Sequence, residues 1–421
     1  VLTPSSASPL RILVAPDSFK GSLTADEAAR HIAAGVAAAL GASADIRTLP
    51  VADGGEGTLA ILVAATNARV LEVPTTDALG RSRTGRVGIL PGGRAIIEAA
   101  EANGLPHVAD EPLRARDADS AGVGALVRAA LDAGADELIV TVGGSATTDG
   151  GVGLLRALGA RFLDARGRDL AAGGGPLVDL AAIELSGVDD RARRARWRIA
   201  CDVTNPLTGP DGAAAVFGPQ KGADVVDVAA LDRGLDTLAT VVLAETGVDM
   251  RAVPGGGAAG GIPALLHAVV GAELEPGWDL VAEAIGLADA IRASDLVVTG
   301  EGSLDAQSLR GKVPGAIAQL AGDAGVPVIA IAGRVTLSPT ELRSAGITAA
   351  VPIAPGAATI DELLTRAGEL VRDAAERAAS LIAVGAFVAT RSSLSVAGHP
   401  LSDSAPAGSP PEEPSKEKVH D

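Results

Sequence analysis

Short runs of β-branched and aliphatic residues alternate along the chain with Ala/Leu-rich stretches of helical period, the pattern of α/β proteins. Segments 11–15, 137–142, 197–201, 296–299 and 326–332 read as strands. Segments 25–40, 121–133, 228–243, 314–322 and 360–383 read as helices. The first helix carries its own start signal, because Thr24 and Glu27 have the S/T-x-x-E spacing of a capping box. From about Arg69 to Leu180 the rhythm changes. The strand-like runs 70–73, 84–89 and 94–98 are joined by glycines, as in a more antiparallel, mixed sheet. That change predicts a second α/β domain inserted into the first.

The two ends differ from the body. Residues 1–10 are a short leader with no basic flank and no apolar segment, so no signal peptide is expected. Residues 391–421 hold five Pro and seven Ser without apolar periodicity, and a disordered tail is expected there. Over 421 residues the hydrophobic share is 47%, enough for a sizeable core. With four Phe, two Trp and no Tyr, that core must be filled by Ala, Val, Leu and Ile. A net charge of -17 repels phosphate backbones and anionic lipid, so nucleic-acid and membrane-surface partners are not expected. The apolar run 381–389 is far shorter than the ~20 residues of a membrane helix. A single Cys excludes an internal disulfide. The expectation is a soluble, cytoplasmic protein.

Candidate chemistry gathers at clustered glycines. They occur in Asp53-Gly54-Gly55-Glu56-Gly57, in 143–151, in 173–175, in 254–261 and in Gly300-Glu301-Gly302. Several follow a predicted strand and precede a predicted helix, the end of an open α/β sheet where ligands bind. Glycine allows close backbone approach, and helix N-termini present N–H groups to anions, although tight turns alone explain any one cluster. A Walker A loop is absent, since Gly311-Lys312 is followed by Val313. Gly255-x-Gly257-x-x-Gly260 matches a dinucleotide fingerprint in spacing but follows no convincing strand.

Lysine usage narrows the field. Of 35 basic residues only five are Lys, and the body keeps only Lys20, Lys221 and Lys312, each beside glycine. A compact ammonium suits point contact with phosphate or carboxylate, where guanidinium is not equivalent. Three carboxylates complete the constellation. Asp202 follows the apolar run 199–201, Asp149 sits among Ser145, Thr147 and Thr148, and Asp17 ends the first strand. Such groups serve as general base, as Mg²⁺ ligand or as helix cap. Cys201 reads as a small core residue.

Taken together, the motifs Ala15-Pro-Asp-Ser-Phe-Lys-Gly-Ser22, Pro50-Val-Ala-Asp-Gly-Gly-Glu-Gly-Thr58, Gly143-Gly-Ser-Ala-Thr-Thr-Asp-Gly-Gly151, Ala200-Cys-Asp-Val-Thr-Asn-Pro206, Phe217-Gly-Pro-Gln-Lys-Gly222 and Thr299-Gly-Glu-Gly302 with Gly311-Lys-Val-Pro314 strongly resemble those of the bacterial glycerate kinases, in particular the ATP-dependent glycerate 2-kinase class. The resemblance covers 11 to about 385. It implies a discontinuous flavodoxin-like three-layer domain, 11–68 plus 285–390, with a mixed α/β domain, 69–284, inserted and the active site between them. It implies phosphoryl transfer from ATP with Mg²⁺ to a hydroxyl of glycerate, giving ADP and 2-phosphoglycerate rather than 3-phosphoglycerate. The residues expected to carry it are Asp202 and Asp149 as base or metal ligand, with Lys20 and Lys312. Asp17, Ser18, Asp53, Gly54, Gly55, Glu56, Gly143, Gly144, Ser145, Thr147, Asn205, Lys221, Gly300, Glu301 and Gly302 are expected to bind substrate or nucleotide. A non-catalytic sensor of sugar acids or nucleotides and an NAD-dependent 2-hydroxyacid dehydrogenase are the alternatives.

Overall fold

The computed structural model describes residues 8–52, 57–66, 68–110, 112–309 and 313–397. Among the described residues thirteen strands form two main sheets and a two-stranded antiparallel sheet. In chain order they are β1 (Leu10–Val14), β2 (Ala44–Thr48), β3 (Arg69–Thr76), β4 (Ser82–Leu90), β5 (Arg94–Glu98), β6 (Glu137–Thr141), β7 (Arg161–Asp164), β8 (Leu180–Glu184), β9 (Arg196–Ala200), β10 (Glu273–Glu275), β11 (Leu296–Leu304), β12 (Val328–Val335) and β13 (Ala349–Pro352). The first sheet is all parallel, in the order β13-β12-β11-β1-β2. Counted along the chain this is the 2-1-3-4-5 order of flavodoxin-like sheets, with β3 to β10 interposed between its second and third strands.

Alternation along these strands feeds both faces. Ile12, Val14 and Val298 pack with Ile32 and Val36 of helix Ala25–Leu40 and with Val371 and Ala375 of helix Ala367–Ala397. Leu13 and Val297 pack on the other face with Ile317 and Ala321 of helix Val313–Ala324. Helix Ala25–Leu40 begins with the expected capping box, Thr24 and Glu27 each bonding the other's backbone N–H. The stretch read as one helix from 360 to 383 is two, Ile360–Thr365 and Ala367–Ala397. The second continues through 391–397, into the segment expected to be tail.

The second sheet runs β10-β9-β6-β5-β4-β3, antiparallel from β3 to β5 and parallel from β5 to β10. The mixed character read from 69 onward is therefore real. One face packs Ile97, Val140 and Trp197 with Leu126, Leu235 and Leu265 of surrounding helices. From the other face Ile96, Ile139 and Ala200 join Leu59 and Leu62 of helix Thr58–Thr66 and Trp278 and Val281 of helix Gly277–Ala284. That cluster also contains Leu13 and Val297, so one apolar core ties the two sheets together. Among the described residues no helix is long and apolar enough to cross a membrane.

Candidate active site

Most of the described candidate residues follow β1, β6 and β9 or lie within the second half of β11, while Lys221 lies in the short helix Pro219–Lys221. In the first sheet the strand order reverses between β1 and β11, which opens the crevice where ligands of such sheets bind. The loop after β1 lies across it. Asp17 N–H bonds Gly300 O at 2.8 Å, and Ala15 N–H bonds Val298 O at 2.8 Å. Thr299 Oγ1 donates to Ala15 O at 2.9 Å, and Ser18 N–H bonds the Asp17 carboxylate at 2.6 Å. Lys20 is exposed, while Phe19 beside it is buried and anchors the loop. Glu301 is buried in β11, under this loop.

A hydrogen-bonded path leads from there to the second sheet. Leu49 N–H bonds Val14 O and Val51 N–H bonds Pro16 O, so the segment after β2 runs beside the Asp17 loop. That segment enters Asp53, Gly54, Gly55 and Glu56, which lie outside the described residues, as does Lys312. It emerges at Gly57, whose N–H bonds Glu98 Oε1 at 2.9 Å, and Leu59 N–H bonds Glu98 Oε2 at 3.1 Å. Glu98 is the last residue of β5, is buried, and pairs in register with Thr141 of β6. Its carboxylate faces the positive end of helix Thr58–Thr66, a favourable place for an anion. Glu98 was not among the expected site residues, because it closes a run that reads as ordinary strand.

Beyond Thr141 the 143–149 loop is held from several sides. Leu105 N–H bonds Gly144 O and Ala146 N–H bonds Asn103 O, both at 2.8 Å. Asn103 Nδ2 donates to Thr147 Oγ1 at 3.0 Å. Lys221 Nζ donates to Thr147 O at 2.6 Å and to Ser145 Oγ at 3.3 Å. Burial pulls Lys221 down to about 8, against the opposing pull of Asp149. Gly143 and Gly144 are exposed, whereas Ser145 to Gly150 are buried.

Asp149 has a different job from the one expected. Its Oδ2 accepts from Ser120 N–H, Ser120 Oγ and Gly153 N–H at 2.9, 2.7 and 3.0 Å, and Oδ1 accepts from Gly151 N–H at 3.1 Å. It is completely buried, and burial followed by nearby Asp119 raises its pKa. A carboxylate saturated by four donors at the start of helix Val152–Ala157 fixes the loop. It fits neither a proton acceptor facing substrate nor a Mg²⁺ ligand.

Asp202 is exposed just past the end of β9, and its Oδ1 accepts Gly277 N–H at 2.8 Å. The bond caps helix Gly277–Ala284 and orients the carboxylate. Asn205 Nδ2 donates to Asp211 O at 2.9 Å, which shapes the same loop. Cys201, at its start, is part-buried, and burial pushes its thiol up. Among the described residues no group of three His, Cys, Asp or Glu side chains is placed to hold a metal ion by itself. Mg²⁺ commonly uses only one or two carboxylates plus substrate phosphates, and an exposed, oriented Asp202 fits that need.

The glycines of 254–261 serve packing. A Cβ at Gly257 would lie 2.1 Å from Pro206 O, and one at Gly260, where φ is +72°, would lie 2.1 Å from Thr147 O. Gly257 N–H bonds Asn205 O, and Gly150 N–H bonds Gly260 O. The segment is thus a wedge joining the 143–149 and 201–206 loops. The spacing that mimics a dinucleotide fingerprint is explained without NAD. Gly174 likewise packs against Thr148 O.

Residues 12–383 match the model of the glycerate kinase family. The chain is 44% identical over 376 residues to a glycerate kinase of Bacillus subtilis (strain 168), covering 88% of this chain and 98% of the relative. It is 41% identical over 377 residues to the glycerate 2-kinase of Escherichia coli (strain K12), covering 89% and 99%. A crystal structure from Salmonella typhimurium LT2, provisionally assigned as glycerate kinase 2, superposes with a TM-score of 0.81 at 41% identity, over 90% of this chain and all of that one. Agreement of this extent along both chains means that the protein is an enzyme of the glycerate kinase family.

Proposed function

We propose that the chain transfers the γ-phosphoryl group of ATP to a hydroxyl of glycerate, giving 2-phosphoglycerate and ADP. Supporting this are the family membership, the relatives' names and one observation, the exposed carboxylate of Asp202 held in a fixed orientation at the end of β9. Phosphoryl transfer asks an enzyme mainly for positioning and charge neutralisation. Asp202 takes the hydroxyl proton or, as a carboxylate at a strand's end, holds Mg²⁺. Mg²⁺ held there together with ATP would supply neutralisation of phosphate charge. Lys20 and Lys312 offer point charges to phosphoryl oxygens, and Gly302 of β11 lies against the Phe19–Lys20 backbone on the same side. The reaction cleft lies between a domain of 11–68 plus the C-terminal segment and the inserted domain, in a cytoplasmic enzyme.

The test is ADP release from purified protein with glycerate, with and without excess chelator, followed by phosphorus NMR of the product. Turnover that needs both ATP and Mg²⁺ and yields 2-phosphoglycerate is expected. Undiminished turnover under chelation would remove the metal from the scheme, and a 3-phosphoglycerate signal would correct the position of transfer.

A further inference from the structure

Beneath the 143–149 loop two buried side chains, Lys221 and Ser145, each keep a donor that no acceptor among the described residues receives. Lys221 is 3% exposed and Ser145 7%. An ammonium carries three N–H groups and no acceptor, so at the Lys221–Ser145 contact the hydroxyl oxygen accepts. Thr147 O takes a second N–H. The third N–H of Lys221 and the single O–H of Ser145 remain, and no acceptor among the described residues receives either. Among the described residues Lys221 forms no ion pair, and the carboxylate of Asp149, which acts on it through charge, spends both oxygens on Ser120, Gly151 and Gly153. A buried ammonium is costly unless an anion meets it.

The two donors, 3.3 Å apart, match the two oxygens of an oxyanion. They lie next to exposed Gly143 and Gly144, where a ligand can approach. Both residues are more than nine-tenths buried, so only a small end group reaches them, which suits a carboxylate better than a metal-bound triphosphate. Asn103 adds a complementary feature. Its Oδ1 is buried without a partner while its Nδ2 holds Thr147, so an acceptor for a substrate hydroxyl adjoins the same loop. We propose that Lys221 and Ser145 hold the carboxylate of the acid substrate, which assigns the 143–149 loop to the acid and leaves the Lys20 and Gly300–Gly302 side to the nucleotide. The assignment rests on the activity proposed above.

The experiment compares the full-length parent with Lys221→Met and Ser145→Ala by ADP release, varying glycerate and ATP separately, with glycerol as an acceptor lacking the carboxylate. Melting curves serve as the folding control. Lys221→Met is expected to raise KM for glycerate about tenfold or more, the scale of one charged hydrogen bond, with KM for ATP within about twofold. The parent's preference for glycerate over glycerol should narrow by a similar factor, whereas a merely structural lesion would affect both acceptors alike. Ser145→Ala should shift the same quantities by about threefold, and it carries the test if Lys221→Met does not fold. A rise in KM for ATP with KM for glycerate unchanged, or an intact acid preference in a variant that melts like the parent, overturns the assignment. A parent that does not phosphorylate glycerate overturns the activity itself, and this assignment with it.

Discussion

Asp202 performs two separable tasks in the proposed scheme, and substitution at one position can part them. As a helix cap it accepts Gly277 N–H at 2.8 Å. Loss of such a cap costs about 0.5–2 kcal/mol, while Asn caps about as well as Asp. As a general base it contributes ~10²–10⁴ in rate, or about 2.7–5.5 kcal/mol of barrier. Asp202→Asn keeps the shape and the cap but accepts no proton, so kcat should fall at least about hundredfold with Tm unchanged. Asp202→Ala loses both, and should add a fall of about 1 kcal/mol in unfolding free energy. That loss cannot imitate the kinetic one. A domain stable by ~5 kcal/mol stays more than ~99% folded after losing 2. The assay is steady-state ADP release beside thermal melting for parent, Asn and Ala variants. If Asp202→Asn turns over within about threefold of the parent while Asp202→Ala melts lower, Asp202 is a cap alone and the base must be sought elsewhere.

The opposite pattern is expected at Asp149. Asp149→Asn turns one of two saturated acceptors into a donor facing N–H groups, so stability should fall by roughly 2–4 kcal/mol, and unchanged melting would refute the capping role. Gly260→Ala combines a left-handed backbone with a Cβ 2.1 Å from Thr147 O and should cost roughly 2–5 kcal/mol, read by denaturant unfolding; a neutral result would mean that the wedge yields freely. Lys20→Arg keeps charge but changes shape, and kcat/KM should drop about tenfold or more, against no change for Arg194→Lys on the surface. Raising pH should stabilise the parent relative to Lys221→Met. The folded Lys221 releases its proton near 8 and the unfolded one near 10.5, so this gain is complete above 10.5 and disappears as pH falls through about 8.

What the sequence reveals depends on whether a signal is local. Helix Ala25–Leu40 is readable to the residue because its capping box and apolar stripe lie within the helix itself. Strands β5, β6 and β9 are readable because their runs are buried and continuous. Strand β2 escapes, being a half-exposed edge of sequence Ala-Asp-Ile-Arg-Thr with no apolar run. The 2-1-3-4-5 order is invisible in composition, since it depends on β1 finding β11 far along the chain. At the site, Asp202 announces itself as a carboxylate at a strand's end. Asp149 misleads for a physical reason: its Gly/Thr setting resembles an open ligand loop, while Ser120, which saturates it, lies 29 residues away. Glu98 and the 254–261 wedge are recognisable only once distant loops are brought together.

The place of β1 in the middle of the first sheet has a consequence for biosynthesis. Its β11 partner begins at Leu296, so the ribosome must add roughly 280 residues after Val14 before that edge can be paired, about 14–56 s at ~5–20 residues per second. Throughout that interval β1 and β2 can pair only with each other, and a two-stranded sheet is marginal in water. The strands from β3 to β9 are complete by Ala200, about 100 residues before this, and only the edge strand β10 comes late, so most of the inserted sheet can fold on the emerging chain while the first sheet waits. An open apolar strand edge invites pairing with other nascent chains. Premature stops or pauses between about 275 and 295 therefore leave the molecule at its most aggregation-prone, with the strands of one sheet complete and the other still a lone pair.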